Sequence, residues 1–138
     1  MIKWLADAGP LIAYFDARDR HHDWSREVFG LLTPPLYTCD AVIAETAHLL
    51  RDLTRARDSL LEMIERQDLL VEPVFPSEAA SIRRLLAKYE PRIDLADACL
   101  VRLSELHRDC RVITLDSDFT IYRRHGRERI PLLAPFAG

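Results

Sequence analysis

The sequence predicts an α/β fold, a three-layer α/β/α sandwich around a central, mostly parallel sheet. Three observations lead there. Short apolar runs rich in β-branched or aromatic residues alternate with longer stretches of helical periodicity, the pattern of strands joined by crossover helices. No Asn-Gly type turn joins two strand-like runs, so nothing signals a β-hairpin. Two strand-like runs are followed at once by an acid, and parallel sheets collect functional groups at the carboxyl ends of their strands.

The elements follow in order. Ile2–Ala6 reads as a short buried strand. Gly9-Pro10 opens a helix with proline near its first turn, and Pro10–Asp16 is apolar on most faces, so that helix should be largely buried. Residues 21–32 carry Trp24, Val28, Phe29, Leu31 and Leu32 at helical spacing and stop at Thr33-Pro34-Pro35. Leu36–Cys39 is a strand, and Asp40 is placed to cap a helix running through Leu50. Residues 54–67, with Leu60, Leu61 and Ile64, form another helix, and Leu69–Val74 a strand ended by Pro76. Ser77 caps a helix to Tyr89 that Pro91 breaks. Asp94 caps the next helix, to about His107, and Asp97 three residues on can complete a capping box. Arg111–Leu115 is a β-branched strand, and Ile130–Leu133 a last apolar run.

The chain has 138 residues, which predicts one domain over 1–138. Hydrophobic residues make up 49%, enough for a real core. Three cysteines, Cys39, Cys99 and Cys110, show no CxxC spacing and read as reduced packing residues of a cytoplasmic protein. No signal peptide begins the chain, and no apolar stretch approaches the ~20 residues needed to span a membrane. The net charge of −3 does not suggest a generic nucleic-acid binder. Yet the basic residues are almost all arginine, and Arg123, Arg124, Arg127 and Arg129 cluster in YRRHGRER. Arginine makes planar bidentate contacts to phosphate that lysine cannot.

Four acids lie in or beside apolar segments: Asp7 in IKWLADAG, Glu45 in AVIAETAHLL, Asp97 in DLADACLV and Asp116 in VITLDSD. Each alone has a plain structural explanation. Asp7 can cap the helix near Pro10, Glu45 can face solvent, Asp97 can serve the capping box, and Asp116 and Asp118 can be loop residues. Together they suggest one negative pocket, with Asp7 and Asp116 on the same sheet edge. Such a pocket repels itself unless it holds a hard cation such as Mg²⁺ or Mn²⁺. Divalent metals activate water and stabilise charge on phosphate, which is what phosphodiester hydrolysis requires.

The segments LADAGPLIAYFDARDRHH, YTCDAVIAETAHLL, DLADACLVRLSE and RVITLDSDFTIYRRHG resemble, in order and spacing, those of PIN domains, specifically VapC-type toxin ribonucleases. The resemblance implies metal binding by Asp7, Glu45, Asp97 and Asp116, help from Asp118, and support from Thr114. It implies an RNA substrate, an antitoxin partner and a homodimer. Many family members carry Thr or Ser after the first Asp, where this chain has Ala8. Arg123, Arg124 and Arg127 are candidate substrate contacts, and residues 42–67 a candidate partner groove.

Other readings compete with this one. VITLDSDFT is similar to the DxDxT nucleophile motif of haloacid-dehalogenase-type phosphatases, but only Thr120–Gly138 follow it, without lysine or aspartate. A catalytically silent PIN-like module that binds RNA or a partner is the remaining alternative. His21-His22 reads as a helix start with partly exposed imidazoles.

Overall fold

A computed structural model describes residues 1–136. In chain order it contains β1 (Lys3–Ala6), α1 (Ala8–Phe15), α2 (His22–Leu31), β2 (Leu36–Cys39), α3 (Asp40–Leu49), α4 (Thr54–Glu65), β3 (Leu69–Glu72), α5 (Ala79–Tyr89), α6 (Leu95–Leu106) and β4 (Cys110–Ile113). A 3₁₀ turn over Ser117–Thr120 follows, then β5 (Arg123–Arg124), β6 (Glu128–Arg129) and β7 (Leu132–Leu133). Five strands form one sheet in the order β3-β2-β1-β4-β7, every pair parallel. Six helices flank it, the predicted α/β/α arrangement.

Leu5 and Ala6 of β1 and Val112 and Ile113 of β4 are fully buried, as central parallel strands should be. Helix α6 is buried over most of its length and packs on α3, α5 and the strands β1, β2 and β4. Cys39, Cys99 and Cys110 are free, buried thiols within this packing. Among the described residues, no helix is long and apolar enough to cross a membrane.

The topology fixes where a site can form. From β1 the chain steps outward through β2 to β3, then returns to β4 on the other side of β1. In open α/β sheets the crevice at the carboxyl ends of strands flanking such a reversal is the usual ligand site. Ala6 pairs with Ile113 at the ends of β1 and β4, so Asp7 and Thr114 leave the sheet side by side at that crevice.

Several boundaries differ from expectation, for local reasons. Helix α1 starts at Ala8, because Asp7 is its cap and accepts the Ala8 N–H at 2.8 Å. Asp40 is the first helical residue of α3, and Cys39 holds the cap position. Ser77 does not cap α5; Glu78 holds that position. The turn before it is closed by backbone bonds, Glu78 N–H to Val74 O at 2.9 Å and Ala79 N–H to Pro76 O at 3.1 Å. The chain also contains an antiparallel pair that its sequence did not signal: β5 and β6, with Arg123 opposite Arg129 and Arg124 opposite Glu128. Its turn places His125 at φ 53° and Gly126 at φ 85°. Glycine enters that region freely, and the His125 N–H is anchored on Glu105 Oε2 at 2.7 Å.

Candidate metal centre

The strand register brings the first acids together. Thr114 donates its hydroxyl to Asp7 Oδ2 at 2.7 Å and accepts the Asp116 N–H at 2.9 Å, so one buried side chain ties both strand-end acids. Asp116 in turn caps the 3₁₀ turn by accepting the Asp118 N–H at 2.9 Å. Asp94 and Asp97 form the predicted capping box of α6, with Asp97 N–H to Asp94 Oδ1 at 2.8 Å and Asp94 N–H to Asp97 Oδ2 at 3.4 Å. The Tyr122 hydroxyl adds a bond to Asp97 Oδ2 at 3.2 Å. Glu45 is half-buried, about one and a half turns into α3.

The electrostatics show that these groups share one neighbourhood. Burial pushes Asp7 up to about 6, opposed by its bonds to Thr114 and Ala8 and reinforced by Glu45 and Asp116. Burial, then the charges of Asp94, Asp7 and Asp116, push Asp97 up to about 7. Glu45 is raised by burial, then by Asp94 and Asp116. Burial and the adjacent Asp97 hold the Tyr122 hydroxyl well above the usual phenol range, so it stays a donor. Carboxylates from four separate segments therefore repel one another across one crevice.

An oxygen-only donor set of this kind suits a hard divalent cation. A carboxylate has about four acceptor sites, so Asp7, Asp97 and Asp116 keep lone pairs beyond their internal bonds. Among the described residues, no three His, Cys, Asp or Glu side chains are arranged to chelate an ion as they stand.

Asp118 lies at the rim and pairs with Arg92 Nη1 at 2.9 Å. Sequence reasoning did not single out Arg92, an isolated arginine between two helices, or Tyr122, which reads as an ordinary core ring. Of the arginine cluster, Arg123 Nη1 is bonded to the carbonyls of Thr120, Ile121 and Tyr122. Arg124 Nη1 is bonded to those of Ser104 and Arg108. Both fasten the hairpin, and Arg127 is exposed at its turn. A cavity of about 720 Å³, lined by Tyr14, Phe15, His22, Arg26, Leu53 and Arg55 among others, takes in only the 53–59 part of the expected partner groove and adds α1 and α2.

No curated protein matches the chain in sequence. Seven solved chains match it in structure. One is VapC20 of Mycobacterium tuberculosis, described as a sarcin-ricin loop cleaving toxin. It is 19% identical, with a TM-score of 0.78 over 86% of this chain and 94% of VapC20. At that identity the likeness is one of fold. The model of the PIN domain matches residues 5–124, a span that holds the β1–β4 crevice and every acid around it, and the chain therefore belongs to the PIN-domain family.

Proposed function

We propose that this protein is a metal-dependent endoribonuclease of the VapC type, a cytoplasmic toxin paired with an antitoxin. The observation that carries the reading is the convergence of carboxylates from four segments on the β1–β4 crevice of a PIN domain. The fold shared with VapC20, itself described as a cleaving toxin, supports it.

In this reading Asp7, Glu45, Asp97 and Asp116 hold Mg²⁺ or Mn²⁺, with Asp118 as an auxiliary ligand. The bound cation supplies charge neutralisation at the phosphate and acidification of water. The protein's own groups prepare the centre. Thr114 keeps Asp7 and Asp116 in fixed relation, and Tyr122 orients Asp97. Because Asp7 and Asp97 hold protons up to about 6 and 7, cation binding near neutral pH displaces protons and tightens as pH rises. Ala8 contributes no hydroxyl; Thr114, just past the end of β4, donates one to Asp7.

Arg123, Arg124 and Arg127 remain proposed substrate contacts, with Arg127 the most accessible. The antitoxin would place an arginine in the acidic crevice and seat part of its chain in the cavity between α1, α2 and α4. Two copies would form a homodimer. The test is cleavage of an RNA panel with Mg²⁺ or Mn²⁺, with Asp7→Asn as control. Failure of the wild type to cleave any RNA in either metal would sink the reading. Retained metal-dependent cleavage by a folded Asp7→Asn protein would remove Asp7 from the centre.

A further inference from the structure

A cavity of about 470 Å³ opens between α5, α6 and the β5–β6 hairpin. Its charged lining comprises Arg84, Lys88, Arg102 and Arg123 against a single acid, Glu105, with His125 alongside. That is a local excess of positive charge in a chain of net charge −3. The four cations are not equivalent. Arg102 is neutralised by Glu78 at 2.6 Å and Glu105 at 3.0 Å. Arg123 is bonded through Nη1 to three carbonyls. Arg84 and Lys88 stand one turn apart on the exposed side of α5 and meet only neutral groups. Arg84 Nη2 donates to Ser81 Oγ at 3.2 Å and Lys88 Nζ to the Gly126 carbonyl at 3.0 Å. Each keeps further N–H donors.

The cavity adjoins the acidic crevice through two aromatic rings. Lys88 Nζ lies 5.2 Å from the ring centre of Tyr89, and Tyr89 packs edge-on against Tyr122 at 5.2 Å. The Tyr122 hydroxyl reaches Asp97, while the Tyr89 hydroxyl accepts the Arg123 N–H at 2.9 Å. Four residues beyond Lys88, Arg92 sits on Asp118 at the rim of the crevice. Cations at positions 84, 88 and 92 thus lead from the cavity to the acids.

An acidic centre gives a polyanion no reason to approach, so attraction must come from charge beside it. We propose that this cavity is a phosphate subsite in which Arg84 and Lys88 bind backbone phosphates flanking the one at the acidic centre. The proposal rests on the nuclease reading. It is tested by fluorescence anisotropy of a labelled single-stranded RNA on the full-length protein in EDTA, across a salt series. The proteins compared are wild type, Arg84→Glu/Lys88→Glu, the milder Arg84→Gln/Lys88→Gln, and Arg55→Glu in the separate cavity near α4. Both double variants should keep their melting temperature and bind at least tenfold more weakly at low salt. Their log Kd against log salt slope should fall by ~1.4, about 0.7 for each single-strand phosphate that is no longer neutralised. Arg55→Glu should bind as wild type does. Wild-type affinity and slope in both double variants, or an equal weakening in Arg55→Glu, overturns the subsite while leaving cleavage intact. Double variants that keep RNA affinity but lose affinity for a polyglutamate peptide assign the cavity to an acidic protein segment, which also overturns it. A wild type that neither binds nor cleaves RNA overturns the nuclease reading itself.

Discussion

Asp7→Asn should stabilise the metal-free protein while abolishing cleavage. Burial and two neighbouring carboxylates hold Asp7 at about 6, where 3.8 is ordinary. A rise of about two pH units corresponds to ~3 kcal/mol of folding free energy withheld when the group must ionise. Asparagine is neutral and nearly the same shape. Its one oxygen keeps the Ala8 N–H bond but gives up the Thr114 bond, which returns ~1 kcal/mol. The net gain is therefore ~1–2 kcal/mol near pH 7.5. The sign follows from proton binding. Between pH 4 and 6 the folded protein holds the Asp7 proton more tightly than the unfolded chain, so wild-type stability falls as pH rises through that window. Above it the penalty is constant; below it both proteins have a neutral side chain and the advantage of Asn vanishes. Urea denaturation in EDTA at pH 4 and pH 7.5 measures this directly. Adding Mn²⁺ should reverse the order, because a cation bound to the native wild type stabilises it by mass action. An Asp7→Asn protein less stable than wild type at pH 7.5 in EDTA, or an advantage that does not shrink at pH 4, would refute the reasoning.

Three further outcomes are expected. Thr114→Val, nearly isosteric at a fully buried position, removes the donor to Asp7 and the acceptor of the Asp116 N–H. It should lower stability by ~1–3 kcal/mol in urea melts and raise the Asp7 titration midpoint followed by carboxyl NMR. Tyr122→Phe keeps the ring packing against Tyr89 and Phe119 but loses the bond to Asp97. It should destabilise by ~1 kcal/mol and weaken Mn²⁺ binding in calorimetry, and unchanged Mn²⁺ affinity would show that Tyr122 does not position Asp97. Arg92→Gln breaks an ion pair whose side chains are 49% and 32% exposed, so stability should change by less than ~1 kcal/mol. Mn²⁺ affinity should nonetheless rise severalfold, because Asp118 loses its competing cation.

How far the sequence carries differs from element to element. Leu36–Cys39 is legible to the residue because Pro35 and the helix-forming run after it bound the strand on both sides. The capping box of Asp94 and Asp97 is legible because its two partners are local, three residues apart. Pairings between distant segments are not. Nothing in the neighbourhood of Arg92 points to Asp118, 26 residues on, and nothing beside Tyr122 points to Asp97. YRRHGRER reads as one charged patch, but pairing of β5 with β6 separates its members. Arg124 turns onto the carbonyls of Ser104 and Arg108, and Arg127 stays outside at the turn. The hairpin is silent in the sequence because its loop is His-Gly-Arg, a three-residue connection without the Asn-Gly pair of the commonest tight turn.

The structural and the chemical explanations of these acids are the same explanation. Each helix or turn that begins at this crevice, whether it follows a strand or another helix, needs an acceptor for its first N–H groups. Asp7, Asp94 and Asp116 are those acceptors for α1, α6 and the 3₁₀ turn. Capping therefore delivers carboxylates to the crevice, and the donors they receive offset part of their mutual repulsion. Glu45 breaks the pattern. It sits inside α3, caps nothing, and is raised by burial and by Asp94 and Asp116. No local need for an acceptor explains an acid there, so of the four it is the one whose presence the fold alone does not account for. Glu45→Gln should accordingly leave helix α3 intact and stabilise the metal-free protein slightly, while cleavage is lost. If cleavage survives in a folded Glu45→Gln protein, the centre consists of the capping acids alone.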